Sequence, residues 1–134
     1  MSTVIPTTTA LYAALVGLLA AALTVRVILG RVKTGIQVGD GGNAALGQAI
    51  RAHANLSEQA PLALLLIAAV EMLGTPGAWV HALGAVLVLA RLSSAWGLSH
   101  SLGASQPRQS GAGLTILVVV VASLLILYRL FAGR

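Results

Sequence analysis

The chain contains no cysteine. Disulfides, thiolate metal sites and catalysis by a thiol of the protein's own are therefore excluded. Charge is nearly as scarce: Asp, Glu, Lys and Arg make up 8% of the 134 residues, where soluble domains carry about 25%. So little polar surface cannot cover a water-soluble globule. Three acidic residues stand against eight Lys and Arg, a formal net charge of +5. In a soluble chain that excess would suggest nucleic acid. Here the basic residues stand singly near the ends of apolar stretches, without a basic block or interleaved aromatics, so they read as loop anchors. No nucleic-acid partner is expected. The three histidines are widely spaced and form no metal-ligand motif, and no metal is expected.

What is present is apolar surface. Hydrophobic residues make up 57% of the chain and the mean hydropathy is +0.94, which implies an integral membrane protein. Four stretches, at about 10–29, 49–73, 78–98 and 113–131, are each long enough for a hydrocarbon core of about 30 Å. The expected fold class is an all-α membrane protein, a four-transmembrane-helix bundle forming one domain over residues 1–134. The first stretch carries one charge, Arg26, and is followed by positive charges with no clear cleavage site, which is not the pattern of a signal peptide. Residues 30–48, with GDGGN at 39–43, read as an irregular loop, GTPG at 74–77 as a tight turn between antiparallel helices, and 99–112 as a third connection containing Pro107. Arg31, Lys33 and Arg51 mark the first loop, and Arg91 and Arg108 the third, whereas the middle turn has no Lys or Arg. This bias predicts loops one and three in the cytoplasm and both termini on the opposite side of the membrane. Small residues such as Ala20, Ala21, Ala22, Gly84 and Ala85 permit close helix approach.

The second apolar stretch is interrupted by Arg51, His53, Asn55, Glu58 and Gln59, with Pro61 just beyond. Polar groups in such company are costly and require partners. Arg51, Asn55 and Glu58 follow one another at intervals of four and three, so they share a helix face. Pro61 is placed to free a backbone carbonyl beside that face. Arg91 lies within the third stretch at a depth that allows contact with Glu58. The residues fit either an ion-pair network that fixes helix packing or a polar pocket for an anionic ligand, with Arg51 gripping a carboxylate. His53 is expected to point away from the main face. His81 and Glu71, near the short turn, are expected to be interfacial and solvated.

The run RAHANLSEQAPLALLL at 51–66 resembles the second-helix motif of the MAPEG family, the membrane-associated proteins in eicosanoid and glutathione metabolism: Arg51, Asn55, Glu58 and Pro61 match it. ARLSSAWG at 90–97 is similar to the family's third-helix segment around a buried arginine. The likeness extends over nearly the whole chain and is stronger to the small bacterial branch. It implies a homotrimer of four-helix subunits, with sites between neighbours, and glutathione as co-substrate bent in a polar cleft. By this resemblance Arg51, Asn55 and Glu58 are glutathione contacts, Arg91 supports them, and Arg108 or Arg31 supplies the cation that activates the thiol. His100 is a further electrostatic helper. The chain departs from the better-known enzymes at Gln59, where tyrosine is usual, and at Ser94 and Leu98, where some members have tyrosines.

The resemblance thus implies a glutathione-dependent transferase or peroxidase acting on a lipophilic electrophile or hydroperoxide. A free thiol titrates at about 8.5, and a neighbouring arginine lowers that value by stabilising the thiolate. Such an enzyme needs no nucleophile of its own. The alternative is a non-catalytic lipid-binding or scaffold protein of the same family, which the missing tyrosines favour. A transporter is disfavoured by the lack of an inverted repeat or broken helix pair.

Overall fold

A computed structural model describes residues 5–100, 103 and 105–132. Four helices follow in order, α1 (Thr7–Thr34), α2 (Ala44–Met72), α3 (Gly77–His100) and α4 (Gln106–Ala132). They form an all-α four-helix bundle. α2 and α3 make the central pair, and α1 and α4 flank it without packing on each other.

Each helix is longer than the apolar run that announced it, and local chemistry sets the ends. α1 continues to Thr34 because Arg31 and Lys33 in its last turn oppose the helix dipole. It stops at Gly35, whose φ of 71° is left-handed and whose N–H returns to the Arg31 carbonyl. α2 begins at Ala44 because the Asn43 side chain accepts the Leu46 N–H at 3.0 Å. The irregular first loop is thus 35–43 and not 30–48. The third connection shrinks in the same way. Pro107 falls in the first turn of α4, where its missing N–H costs nothing. Gly111, within the connection expected at 99–112, lies inside that helix.

α1, α3 and α4 are long and apolar enough to cross a membrane. α2 falls outside that set by composition. With 29 residues it has the length, but the polar residues from Arg51 to Gln59 and Glu71 dilute its apolar character. Pro61 lies inside α2, which continues through it. α1 is exposed along most of its apolar surface, Leu18, Leu29 and Val32 among others. A helix apolar on every side requires lipid or protein around it.

Two apolar clusters fill the bundle. One joins Ala63, Ile67 and Val70 of α2 to Leu83 and Leu87 of α3 and to Val118 and Ala122 of α4. The other joins Val16 and Leu23 of α1 to Ala52, Leu56 and Ala60 of α2 and to Ala95 and Leu98 of α3. Close approach of helices depends on glycine, as at Gly111 and Gly84. A Cβ at Gly111 would run into the Ser94 hydroxyl and the Ala90 carbonyl, and one at Gly84 would run into the Tyr12 ring.

At the short-turn end, Glu71 is buried and not solvated, in contrast to the expectation from sequence. α1 starts behind Pro6 with no side-chain cap of its own. Glu71 supplies one from the end of α2: its carboxylate accepts the Thr8 N–H at 2.9 Å, the Thr9 N–H at 2.7 Å and the Thr9 hydroxyl at 2.6 Å. The Tyr12 hydroxyl and His81 Nδ1, 2.9 Å apart, tie the same end of α1 to α3. His81 is exposed, as its expected interfacial place requires.

Candidate functional site: the polar face of α2 and its anchor on α3

Along α3, Arg91 falls between the residues given to the two apolar clusters, and it is 1% exposed. Its partners are all neutral. One terminal nitrogen donates to Asn55 Oδ1 at 3.0 Å. The other donates to the Gly111 carbonyl at 2.9 Å, to Ser94 Oγ at 3.3 Å and, in a short contact, to Thr115 Oγ1. Its buried Nε has no hydrogen-bond partner among the described residues. A guanidinium held by neutral oxygens joins α2, α3 and α4 at one point. The suggested contact of Arg91 with Glu58 is not made: the hydrogen bond from Arg91 to α2 goes to Asn55, and Glu58 is exposed.

The helical stripe on α2 therefore divides. Asn55, half-buried, is turned to the bundle interior and fixed by Arg91. Arg51 and Glu58, one turn to either side, are both exposed. Their separation of seven positions corresponds to about 10 Å along the axis at about 1.5 Å per residue. The face thus presents a cation and an anion at fixed separation on a helix anchored between them. His53 is half-buried beside this stripe.

Arg31 is engaged elsewhere. It donates to the carbonyls of Ile36 and Gly39, at 3.1 and 3.0 Å, and so braces the first loop. Arg108 is half-buried in the first turn of α4 and reaches the Gly103 carbonyl at 3.4 Å. Its backbone lies against Gly97 of α3, where a Cβ would crowd the Arg108 N–H. Among the described residues, no group of three His, Asp or Glu side chains is gathered for a metal.

An apolar groove of about 320 Å³ runs between α1 and α2, lined by Val16, Gly17 and Ala20 on one side and by Leu56, Ser57 and Pro61 on the other. Proline at 61 leaves the Ser57 carbonyl without its helical N–H partner, which gives this wall a polar notch. The partners of Arg91 were not identified from sequence, although Thr115 was detectable, with Ser123, as one of two small hydroxyl residues in the apolar run of α4. The Gly111 carbonyl left no such signal, because backbone acceptors are alike in every residue.

Fold and site together define a small all-α membrane protein with a charged helix face anchored on a buried arginine. Residues 9–128 match the MAPEG family, and the chain belongs to that family. Among curated proteins it is similar to the inner membrane protein YecN from two strains of Escherichia coli. The identity is 37% over 118 residues, covering 86% of this chain and 88% of the relative in each case.

Proposed function

We propose that this chain is a glutathione-dependent membrane transferase or peroxidase that acts on a lipophilic electrophile or hydroperoxide. The observation that carries this reading is the exposed pair Arg51 and Glu58, held about Asn55 on a helix pinned by Arg91. Glutathione carries two carboxylates and one ammonium group. Arg51 is suited to a carboxylate in a two-pronged contact, and Glu58 to the ammonium. Asn55 and Arg91 hold the helix face in place. The α1–α2 groove gives a lipophile access from the bilayer next to the same helix.

Catalysis on this reading consists of placing the thiolate and the lipophile together and stabilising the sulfur's negative charge. The thiol proton is lost as a nearby guanidinium stabilises the thiolate. The sulfur then attacks the electrophilic carbon and expels its leaving group as an anion, forming a thioether, or attacks the outer peroxide oxygen, breaking the O–O bond to give a sulfenic acid and an alkoxide that takes up the thiol's proton as alcohol. In the peroxidase case a second glutathione thiol displaces water from the sulfenic acid, so that two thiols become one disulfide. Arg108 is the first candidate for the cation and Arg31 the second. The assembly proposed is a homotrimer, in which a neighbouring subunit completes the cleft. The relatives' name supports a bacterial inner membrane, and the Lys and Arg bias of the first and third loops supports periplasmic termini.

Calorimetric titration of the detergent-solubilised protein with glutathione tests binding, and a chlorodinitrobenzene-type electrophile then tests turnover. Binding and conjugation in the wild type, both lost in Arg51→Ala with the oligomer intact, are expected. No binding at millimolar glutathione would refute the proposal. Native mass spectrometry tests the trimer separately. A second reading, lipid binding without chemistry, is favoured by Arg31 and Arg91, whose hydrogen bonds go to the protein itself. It predicts co-purifying lipid and no turnover.

A further inference from the structure

We propose that a second cleft, between α1 and α3, binds the headgroup of an acidic phospholipid. The cleft encloses about 370 Å³ and is lined by Leu19 and Arg26 of α1 and by Leu92, Trp96, Ser99 and His100 of α3. Arg26 is the only charged residue of α1 before Arg31. It is half-buried, and its guanidinium meets the Ser99 hydroxyl in a short contact and the Ser99 carbonyl at 3.4 Å. Both partners are neutral. None of the chain's three acidic side chains, Asp40, Glu58 and Glu71, lines this cleft. Among the described residues the cation therefore meets no opposite charge there.

Its depth suits a headgroup. Arg26 lies nineteen residues along α1 from Thr7, which at about 1.5 Å per residue is about 28 Å. A hydrocarbon core is about 30 Å thick, so the guanidinium sits near one boundary of the apolar layer. Leu19 lies about two turns deeper on the same helix, and Leu92 offers an apolar wall opposite. An acyl chain can follow that wall while the phosphate meets Arg26. The rim is aromatic and polar. Trp96 and His100 are exposed and stacked, with ring centroids 4.3 Å apart. His100 Nδ1 donates to the Trp96 carbonyl at 2.8 Å, which leaves Nε2 of the neutral ring to accept from a headgroup hydroxyl. Tryptophan favours this interfacial depth, and arginine pairs with phosphate oxygens through its planar fork. No residue of α2 lines this cleft, so its occupancy is independent of the proposed glutathione face.

The test uses full-length protein carrying Trp79→Phe, so that Trp96 is the sole tryptophan. Brominated phosphatidylglycerol or brominated phosphatidylcholine is titrated into the detergent-solubilised protein and Trp96 quenching is followed. Native mass spectrometry counts retained lipids. Phosphatidylglycerol should half-saturate at a concentration at least tenfold lower than phosphatidylcholine. Arg26→Gln should abolish that preference, Arg26→Lys should retain part of it, and Ser99→Ala should leave it intact. Equal affinity for the two lipids would overturn the proposal. So would equal losses in Arg26→Gln and Ser99→Ala, which would mark Arg26 as a helix clamp. Displacement of phosphatidylglycerol by inorganic phosphate at matching concentration would overturn the lipid assignment. If Arg26→Gln does not fold, the wild-type lipid preference and the behaviour of Arg26→Lys and Ser99→Ala decide the matter.

Discussion

Replacing Glu71 by glutamine retains the size of the side chain and removes its charge and one of its acceptors. The native carboxylate accepts two backbone N–H groups and one hydroxyl at the start of α1, while 9% exposed. A primary amide has one acceptor oxygen. If that oxygen faces Thr9, the amide nitrogen faces the Thr8 N–H and donor meets donor. If it is reversed, the Thr9 N–H is orphaned, although the Thr9 hydroxyl can turn and accept. One charge-assisted bond is lost in either case, about 1.5–3 kcal/mol. Losing the negative charge at a helix N-terminus adds about 0.3–1 kcal/mol. Relief of carboxylate desolvation offsets part of this, so the expected net loss is about 2 kcal/mol. Unfolding by increasing SDS fraction in mixed micelles, followed by tryptophan fluorescence, should show that loss. Amide exchange at Thr8 and Thr9 should quicken by about 30-fold if local opening carries the full change, since about 1.4 kcal/mol is one factor of ten. Thr9→Val, which removes only the hydroxyl, should cost about 1 kcal/mol. A Glu71→Gln protein within 0.5 kcal/mol of wild type (about the resolution of such measurements), with unchanged exchange at Thr8 and Thr9, would refute the capping role.

Other substitutions probe the remaining joints. Thr115→Val removes one acceptor from the buried guanidinium of Arg91 and should destabilise by about 1.5–3 kcal/mol in the same unfolding assay. Arg91→Leu should cost less than Asn55→Ala and Thr115→Val added together, because it also removes the desolvated charge. Gly111→Ala drives a methyl group into the Ser94 hydroxyl and the Ala90 carbonyl. The α3–α4 contact should then separate at a cost of about 1–3 kcal/mol or more, visible as a lower thermal midpoint. Asn43→Ala should cost about 1 kcal/mol through loss of the α2 cap, with faster amide exchange confined to the first turn of α2.

The candidate site was only partly legible in the sequence. The spacing of Arg51, Asn55 and Glu58 placed them on one face of α2, because helical periodicity follows from residue number alone. It did not divide that face. Asn55 turns inward and Glu58 stays exposed because the buried Arg91 bonds the amide. Arg31 carried two readings in the sequence, cation for a thiol and loop anchor, and the structure adds its bonds to the Ile36 and Gly39 carbonyls, which no spacing announced. Helix ends were misplaced wherever apolar character was taken as the measure of a helix. Pro107 and Gly111 fell in the connection read at 99–112, yet the first sits in a tolerant first turn and the second serves a close contact.

By itself the sequence determined that the protein belongs in a membrane and is built from four helices. Both conclusions follow from additive quantities, namely the balance of apolar and charged residues and the length of each apolar run. It also determined the motif on α2, which is local. The tertiary structure decided which polar groups pay for their burial and with whom. Glu71 closes the start of α1 across 62 and 63 residues of sequence, and Arg91 gathers acceptors from α2, α3 and α4. Such pairings depend on the side chains that packing brings within about 3 Å of each other, and no local pattern records that distance.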